Sequence, residues 1–204
     1  KKAGASLFVP SQFGVDYRRW GFSFPFLAGK KVVVDFAEEQ GLPTLKVFCG
    51  LFGDWIFGFY ADIENGTATV VGDGDFGLCF TRRSDIGYVL AKALEDPKYK
   101  NGGFLSMSGD HKTLKEAYGL LEKATEKKLK IETIDPQDAL KQEQELLRKG
   151  LEGDMGAFYG SFKLHLLGEP ARGNTGGDVS EEANNYGVKL ETLEETLQMV
   201  YGQK

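Results

Sequence analysis

With 204 residues, 41% of them hydrophobic and 27% charged, the chain has the composition of a folded globular domain rather than a disordered or fibrous one. Its formal net charge of −5, from 25 basic and 30 acidic side chains, argues against a protein that binds a nucleic-acid backbone. No apolar run approaches the roughly 18 residues of a membrane-spanning helix, so no membrane partner is expected.

The first 50 residues read as a strand, a crossover helix and a second strand. An apolar strand at residues 7–10 is followed by a loop rich in aromatic residues and glycine. A helix is predicted over residues 26–40, because Pro25 suits a first helical turn and Gly41 suits a helix end. Residues 44–49 form the next strand. This order predicts a parallel pair of strands with a right-handed connection.

The segment at residues 51–60 is dense in aromatic side chains and allows two interpretations. It is either packed in the core, in part as a short buried helix, or it is one wall of a ligand pocket, since such pockets are largely apolar. Farther along, turn residues predict a hairpin of strands 67–71 and 78–81. The remaining predicted elements are a helix over 84–95 capped by Ser84, a strand over 103–108, a helix capped by Asp110, a strand over 128–133, helices over 136–149 and 155–167, a Gly-rich loop over 169–180 and a helix over 190–201.

Three features of the sequence match chemical motifs but are better explained as ordinary structure. The run Gly72-Asp73-Gly74-Asp75-Phe76-Gly77 fits the dinucleotide fingerprint, yet it leads into a strand instead of a helix N-terminus, so it predicts a turn. His111 and His165 have no partner at ligand spacing, so no metal site is predicted, and His111 is expected in the first turn of a helix. Cys49 and Cys79 are too few for a disulfide framework and suit a reducing compartment. We therefore expect a cytoplasmic protein, with a nuclear location also compatible.

Two segments have the position of a ligand site. In an open α/β sheet, ligands bind beyond the carboxyl ends of the strands. Residues 11–14 and 50–52 follow the two predicted parallel strands, so they are expected at the same crevice. Lys30, in the first turns of the crossover helix, either points into this crevice or faces solvent beside Lys31.

The residues around this crevice resemble a known family. Phe8-Val9-Pro10-Ser11-Gln12-Phe13-Gly14 is similar to the F-x-P-S-E-F-G stretch of the NmrA-like and isoflavone-reductase-like family of atypical short-chain dehydrogenases. Further matches follow in order and at family spacing: Gly29-Lys30, Gln40-Gly41-Leu42-Pro43-Thr44, Gly50-Leu51-Phe52, and Phe80-Thr81 with Ser84-Asp85-Ile86-Gly87. The resemblance covers about residues 1 to 135 well and the remainder loosely.

The resemblance implies an α/β fold that is the C-terminal portion of a Rossmann-type parallel sheet with a small α+β substrate lobe. Residues 1–60 would hold strands five and six on the nicotinamide side, with 78–108 returning to them. Residues 61–77 and 109–204 would form the substrate-binding lobe. The phosphate-binding N-terminal half of the family is absent from this chain, and residues 1–5 read as the tail of a helix. The chain is therefore expected to start in the middle of a fold.

By the same resemblance, the protein is expected to be an NAD(P)H-dependent reductase acting on a small aromatic or carbonyl-bearing substrate. The implied cofactor is NADP, and the sequence does not choose it over NAD, because the residues that read the 2′-phosphate would lie upstream. Lys30 would bind the nicotinamide ribose and supply or relay a proton, as the catalytic residue. The other implied cofactor contacts are Pro10, Ser11, Phe13 and Phe52. Two departures matter: Gln12 replaces the usual Glu, and Phe26 occupies the position of the proton-donating Tyr of ordinary short-chain dehydrogenases.

The substrate pocket is expected between the sheet and the lobe, bordered by Phe52, Trp55, Phe59 and Phe158, with core packing as the other interpretation for Trp55 and Phe59. The alternative function is a regulator that senses NAD(P) without turnover and binds a protein partner. A third interpretation is a partial chain with no activity of its own. Lys30 favours the enzyme, because a sensor has less need for a positioned proton donor.

Overall fold

The computed structural model describes residues 2–21 and 24–202, and it confirms the α/β fold. The helices are α1 (Tyr17–Trp20), α2 (Pro25–Glu39), α3 (Phe57–Tyr60), α4 (Arg83–Glu95), α5 (Leu114–Thr125), α6 (Pro136–Leu151), α7 (Met155–Ala171) and α8 (Leu193–Tyr201). The strands are β1 (Leu45–Phe48), β2 (Leu51–Phe52), β3 (Ala61–Asp62), β4 (Thr67–Val71), β5 (Gly77–Thr81), β6 (Gly103–Ser106), β7 (Asp110–Thr113) and β8 (Lys130–Ile134). Within the described ranges, no helix is long and apolar enough to cross a bilayer.

The N-terminal region contains the predicted strand–helix–strand unit. Phe8 forms a parallel bridge with Thr44, and β1 pairs in parallel with β6. Helix α2 connects Phe8 to β1, with Pro25 as its first residue. The strand predicted over 7–10 is reduced to the single bridge at Phe8. The helix tail predicted at residues 1–5 is wrong, because residues 2 and 3 form a turn; Lys1 lies outside the described residues.

The parallel layer is covered by α4 on one face. All four residues of β1 are buried, as expected for a strand that is packed on both faces. Leu45, Val47 and Leu105 contribute to one apolar cluster with Ile86 and Val89 of α4. This cluster holds the carboxyl ends of the parallel strands in fixed positions.

The predicted hairpin of strands 67–71 and 78–81 is wrong. Strand β4 lies in the sheet β3-β4-β8, whereas β5 lies in the sheet β2-β5-β7. Both edges of each strand are occupied, since β4 pairs with β3 and β8 and β5 pairs with β2 and β7, so the two cannot pair with each other. The glycine-rich run 72–77 therefore connects two sheets. It leads into a strand, as predicted, and does not open a helix.

Residues 110–113 also differ from the prediction. They form β7, which pairs with β5, so Asp110 does not cap a helix and His111 lies on a strand. The cap of α5 is Thr113, whose side chain accepts from Glu116 N while the Glu116 carboxylate accepts from Thr113 N. Ser84 is likewise inside α4, whose N-cap is Arg82 without a side-chain cap bond.

The C-terminal half packs as helices around a second core. Helices α6 and α7 form an antiparallel pair in which α7 extends to Ala171, four residues beyond its predicted end. Phe57, Tyr60, Leu114 and Leu167 belong to the larger apolar cluster, together with residues from β4 and β5. The division into a Rossmann part and a substrate lobe stays a prediction.

Candidate active site

A cavity of about 470 Å³ opens where the loop 11–15, the start of α2, the segment 50–56 and α7 meet. It lies beyond the carboxyl end of β1, where the topology of an α/β sheet places ligands. Most of the lining is apolar, and its residues are Ser11, Gln12, Phe13, Gly14, Val15, Phe26, Leu27, Lys30, Gly50, Leu51, Phe52, Trp55, Ile56, Phe162 and Leu166. Its size and character are those of a small-molecule pocket.

Backbone hydrogen bonds fix the loop 11–15 against the end of β1. The carbonyl of Gly14 accepts from Cys49 N at 3.0 Å and from Gly50 N at 3.1 Å. Asp16 N donates to Gly176 O at 2.7 Å, which ties the loop to the C-terminal region. The loop that carries Ser11 and Phe13 is therefore fixed at its C-terminal end.

Gly50 is required at the floor of the cavity. Its φ of +64° lies in the left-handed region, and a Cβ atom there would approach Cys79 O to 2.2 Å. The chain passes from β1 to β2 through this close approach to β5. Only glycine fits both conditions without displacement of the backbone.

Lys30 supplies the cationic group in the cavity lining. Its Nζ donates to Phe13 O at 3.4 Å and lies 4.8 Å from the centre of the Phe26 ring. Among the described residues, no carboxylate forms an ion pair with it. Desolvation by burial lowers the pKa of Lys30 below its ordinary 10.5. Burial in turn raises the pKa of Cys49 to about 12, so this thiol stays protonated near neutral pH.

Lys31 lies on the other side of α2. Its ammonium forms an ion pair with Asp35, one turn along the same helix. It is not part of the cavity lining. Of the two adjacent lysines, Lys30 is the one that faces the crevice, and its role in catalysis stays a prediction.

Most of the other predicted cofactor residues line the cavity, and one does not. Ser11, Phe13 and Phe52 line the cavity, whereas Pro10 is buried outside the lining. Gln12, which replaces the family's Glu, is buried and lines the cavity. Their contacts with a cofactor stay predictions.

The predicted aromatic pocket residues divide into two groups. Phe52 and Trp55 line the cavity, and Trp55 is half exposed at its mouth. Phe59 is outside the lining and stacks on Trp55, with 6.0 Å between the ring centres. Phe158 packs against Phe24 at 5.7 Å, also outside the lining. Segment 51–60 therefore contributes residues both to the cavity lining and to aromatic packing outside it, and the binding of a ligand by Phe52 and Trp55 stays a prediction.

The contribution of α7 to the cavity was not predicted from the sequence. Phe162 and Leu166 lie one turn apart on this helix and face the cavity opposite α2. The Phe162 ring also contacts Phe26 at 5.5 Å between centres. The spacing of Phe162 and Leu166 predicts a shared helix face, but no local signal says which element that face meets.

Neither histidine takes part in the cavity. His165 is buried beneath it, where Trp20 Nε1 donates to His165 Nε2 at 3.1 Å. Its Nδ1 therefore carries the proton and donates to Glu143 Oε1 at 2.8 Å. His111 lies elsewhere, 3.1 Å from Asp178. Within the described residues, no group of three His, Cys, Asp or Glu side chains is arranged to hold a metal ion.

Comparison with known proteins gives one family. A family model described as the NmrA-like family matches residues 1–196. Isoflavone reductase homolog P3 of Arabidopsis thaliana is 29% identical over 157 residues, which are 71% of this chain and 51% of the relative. Pinoresinol reductase 1 of the same plant is 27% identical, covering 98% of this chain and 65% of the relative. The chain thus spans about half to two thirds of the length of these curated relatives.

Solved structures of similar fold agree with the family match. A complex of leucoanthocyanidin reductase with NADPH, from Vitis vinifera, superimposes with a TM-score of 0.73 at 19% identity, covering 97% of this chain and 66% of that one. An isoflavone reductase gives a TM-score of 0.72 at 20% identity, covering 95% and 65%. At these identities the likeness concerns the fold.

Proposed function

Because the chain belongs to the NmrA-like family, we propose that it forms the nicotinamide and substrate side of an NAD(P)H-dependent reductase. The substrate is a small aromatic or carbonyl-bearing molecule. The observation that carries this proposal is the amine of Lys30, which lines an apolar cavity at the carboxyl ends of the parallel strands and has no carboxylate partner among the described residues. A catalytic group needs such a position, and an ordinary surface lysine does not have it.

The cavity fits the nicotinamide end of a dinucleotide. Phe13 and Phe52 provide apolar contact for a planar ring, and the exposed Ser11 hydroxyl and the Lys30 ammonium can donate to ribose hydroxyls. NADPH is favoured over NADH, since the matched leucoanthocyanidin reductase structure contains NADPH. When bound, the cofactor would supply the hydride. Pro10 is buried and directly precedes Ser11.

The protein's own part in the reaction is to orient the substrate and to move a proton at Lys30 Nζ. Phe26 has no acidic hydrogen, so it cannot act as the Tyr of ordinary short-chain dehydrogenases does. A lysine with a lowered pKa can donate its proton and regain it near neutral pH more readily than an exposed lysine. Trp55 and Phe162 bind the apolar part of the substrate opposite this amine.

The test separates the reductase from an NAD(P) sensor. The whole protein that contains these residues is mixed with NADPH and a panel of aromatic aldehydes, ketones and ring-conjugated alkenes, and NADPH binding and oxidation are measured separately. Oxidation that depends on one class of substrate supports the reductase. Binding of NADPH without oxidation by any member, together with capture of a protein partner that NADPH modulates, supports the sensor instead.

A further inference from the structure

Lys30 differs from the other cationic groups in what surrounds its amine. Lys31 and Lys46 form ion pairs with Asp35 and Glu38. The Nζ of Lys30 has a long hydrogen bond to Phe13 O and the face of the Phe26 ring. A single carbonyl acceptor at 3.4 Å uses one of the N–H donors of this nitrogen, and Lys30 lines the cavity.

The partial burial of Lys30 makes the neutral amine more accessible than it is in an exposed lysine. Burial disfavours the ammonium because it removes water without supplying an opposite charge, and the pKa of Lys30 is lowered for this reason. Among the described residues, the cavity lining contains no Asp, Glu, His or Arg side chain that would hold the proton in place. The neutral amine has a lone pair, and a desolvated lysine in an apolar pocket is the type of lysine that attacks carbonyl carbons.

The aromatic lining of the cavity favours aromatic molecules as ligands near this amine. Phe26, Trp55 and Phe162 place aromatic rings around the cavity, and rings prefer offset or edge-to-face contact with other rings. A volume of about 470 Å³ accommodates a one- or two-ring molecule. The half-exposed Trp55 lies at the opening, so the cavity can be reached from solvent.

We propose that Lys30 is a covalent binding site for small aromatic aldehydes, which it holds as a Schiff base in the cavity. The Lys30 nitrogen forms a bond to the aldehyde carbon and the carbonyl oxygen takes up a proton to give a carbinolamine. The C–O bond then breaks, both amine hydrogens leave with the oxygen as water, and a C=N bond remains. No oxidant, reductant or cofactor enters this step, so it stands independently of the reductase.

The experiment uses benzaldehyde as the probe and sodium cyanoborohydride to reduce the imine to a stable benzyl-lysine, which peptide mass spectrometry assigns to a residue. Lys30 should be modified faster than Lys31 by about an order of magnitude near pH 7.5. The advantage should shrink with acetaldehyde, which lacks a ring. Anisole, which has a ring but no carbonyl, should slow the modification of Lys30 and leave that of Lys31 unchanged.

The matched variants are Lys30→Arg, which keeps the positive charge but cannot form an imine, and Lys31→Arg. Lys30→Arg should abolish the fast, anisole-sensitive modification, and Lys31→Arg should retain it. Circular dichroism establishes that both variants are folded. Equal modification rates at Lys30 and Lys31 would overturn the proposal. So would a ratio of the Lys30 rate to the Lys31 rate that is the same with acetaldehyde as with benzaldehyde. Failure of NADPH oxidation in the reductase assay would leave it standing.

Discussion

Lys30 and Lys31 are adjacent, but their amines lie in different surroundings. Lys30 Nζ lies in the cavity against Phe13 and Phe26, whereas Lys31 pairs with Asp35 on the outer side of α2. General acid–base catalysis by a positioned group contributes roughly 10²–10⁴-fold to a rate. In the whole protein, Lys30→Met should therefore lower kcat for NADPH oxidation by at least about 100-fold, and Lys31→Met should change it little.

The pH dependence of the same reaction provides a second measurement. If the Lys30 ammonium donates the proton, the rate is highest below its pKa and falls as the pH rises through it. Because desolvation lowers this pKa from 10.5, the fall should begin at a lower pH than an exposed lysine would give. Equal losses of kcat in the Lys30→Met and Lys31→Met variants, or no loss in either, would favour the NAD(P) sensor over the reductase.

A buried polar network below the cavity joins three parts of the chain. Glu143 of α6 accepts from His165 Nδ1 at 2.8 Å and lies 3.4 Å from Arg172 Nη2, while Trp20 donates to the other nitrogen of His165. Glu143 and His165 are both almost fully buried. Without Glu143, the buried Nδ1–H of His165 has no acceptor, although Trp20 still donates to His165 Nε2. Arg172 keeps its ion pair with Glu169 at 2.6 Å. A buried donor left without an acceptor costs more free energy than the net value of the hydrogen bond itself.

Glu143→Ala should therefore destabilise the protein by about 1–3 kcal/mol, as measured by urea unfolding. Glu145→Ala is the matched control. It lies on the same helix and removes ion pairs with Arg148 and Lys149 that are exposed to solvent, and such pairs contribute little. Similar unfolding midpoints for the two variants would show that the buried network does not stabilise the fold.

At the scale of elements, the connection between β1 and β2 requires glycine at position 50. Gly50→Ala would combine a left-handed backbone with a Cβ atom 2.2 Å from Cys79 O, so it should cost at least about 2 kcal/mol of unfolding free energy. Gly29→Ala, on the exposed side of α2 with open space around it, should instead stabilise by about 0.5–1 kcal/mol. Urea unfolding of both variants measures the contrast, and a neutral Gly50→Ala would contradict the required close approach.

The helices could be predicted because their signals are local. Pro25 begins α2 as expected, and the apolar periodicity located α4, α6 and α8 to within a few residues. The parallel pairing of Phe8 with Thr44 was predicted, because one helix connects the two strands. The partners of β4, β5 and β7 could not be predicted, since their pairing depends on contacts far apart in sequence. Residues 110–113 are polar and carry no strand pattern, yet they form β7 because β5 offers a free edge to them.

The candidate site was predictable where it depends on strand ends, and not where it depends on helix packing. Ser11, Phe13, Lys30 and Phe52 follow from the rule that strand ends meet at one edge of a sheet, together with the family resemblance. The wall formed by α7 was not predictable. It depends on how α7 packs across the start of α2, and an apolar helix face is equally compatible with core packing.

At the scale of the whole molecule, α2 leaves an apolar face uncovered. Val33 is 52% exposed and Phe36 is 64% exposed, beside a groove that Phe8 and Leu42 also line. Among the described residues, Phe8 bridges to Thr44 and pairs with no other strand. Exposed apolar area next to an open strand edge lowers solubility.

Phe36→Lys should therefore raise the highest concentration at which the 204-residue chain stays free of aggregates, as measured by light scattering. It should do so without loss of thermal stability, because this side chain is mostly outside the core. A lysine also suits the C-terminal half of a helix. Tyr88→Lys is the control, since it removes an equally exposed aromatic side chain from α4, away from the open edge. An equal gain from both variants would contradict a special role for the α2 face.

The distribution of the ligand-binding features over the chain leads to a prediction about cofactor affinity. The cavity can contact the nicotinamide end of NADPH, but the described helices include none that begins at a glycine-rich loop after a strand, and the run 72–77 connects two strands. Backbone N–H groups at such a loop are what hold a pyrophosphate. The 204-residue chain should therefore bind NADPH weakly, with a Kd near a millimolar, which corresponds to about −4 kcal/mol.

Reduced nicotinamide mononucleotide, which lacks the adenylate half, provides the comparison. If this chain contacts the nicotinamide end alone, NADPH and the mononucleotide should bind with similar Kd in isothermal titration, because the adenylate adds nothing. Lys30→Met should weaken both equally, since Lys30 would contact the ribose that the two molecules share. Preference for NADPH by more than about tenfold, worth 1.4 kcal/mol, would mean that these 204 residues hold the pyrophosphate or the adenylate by contacts that no glycine-rich loop provides.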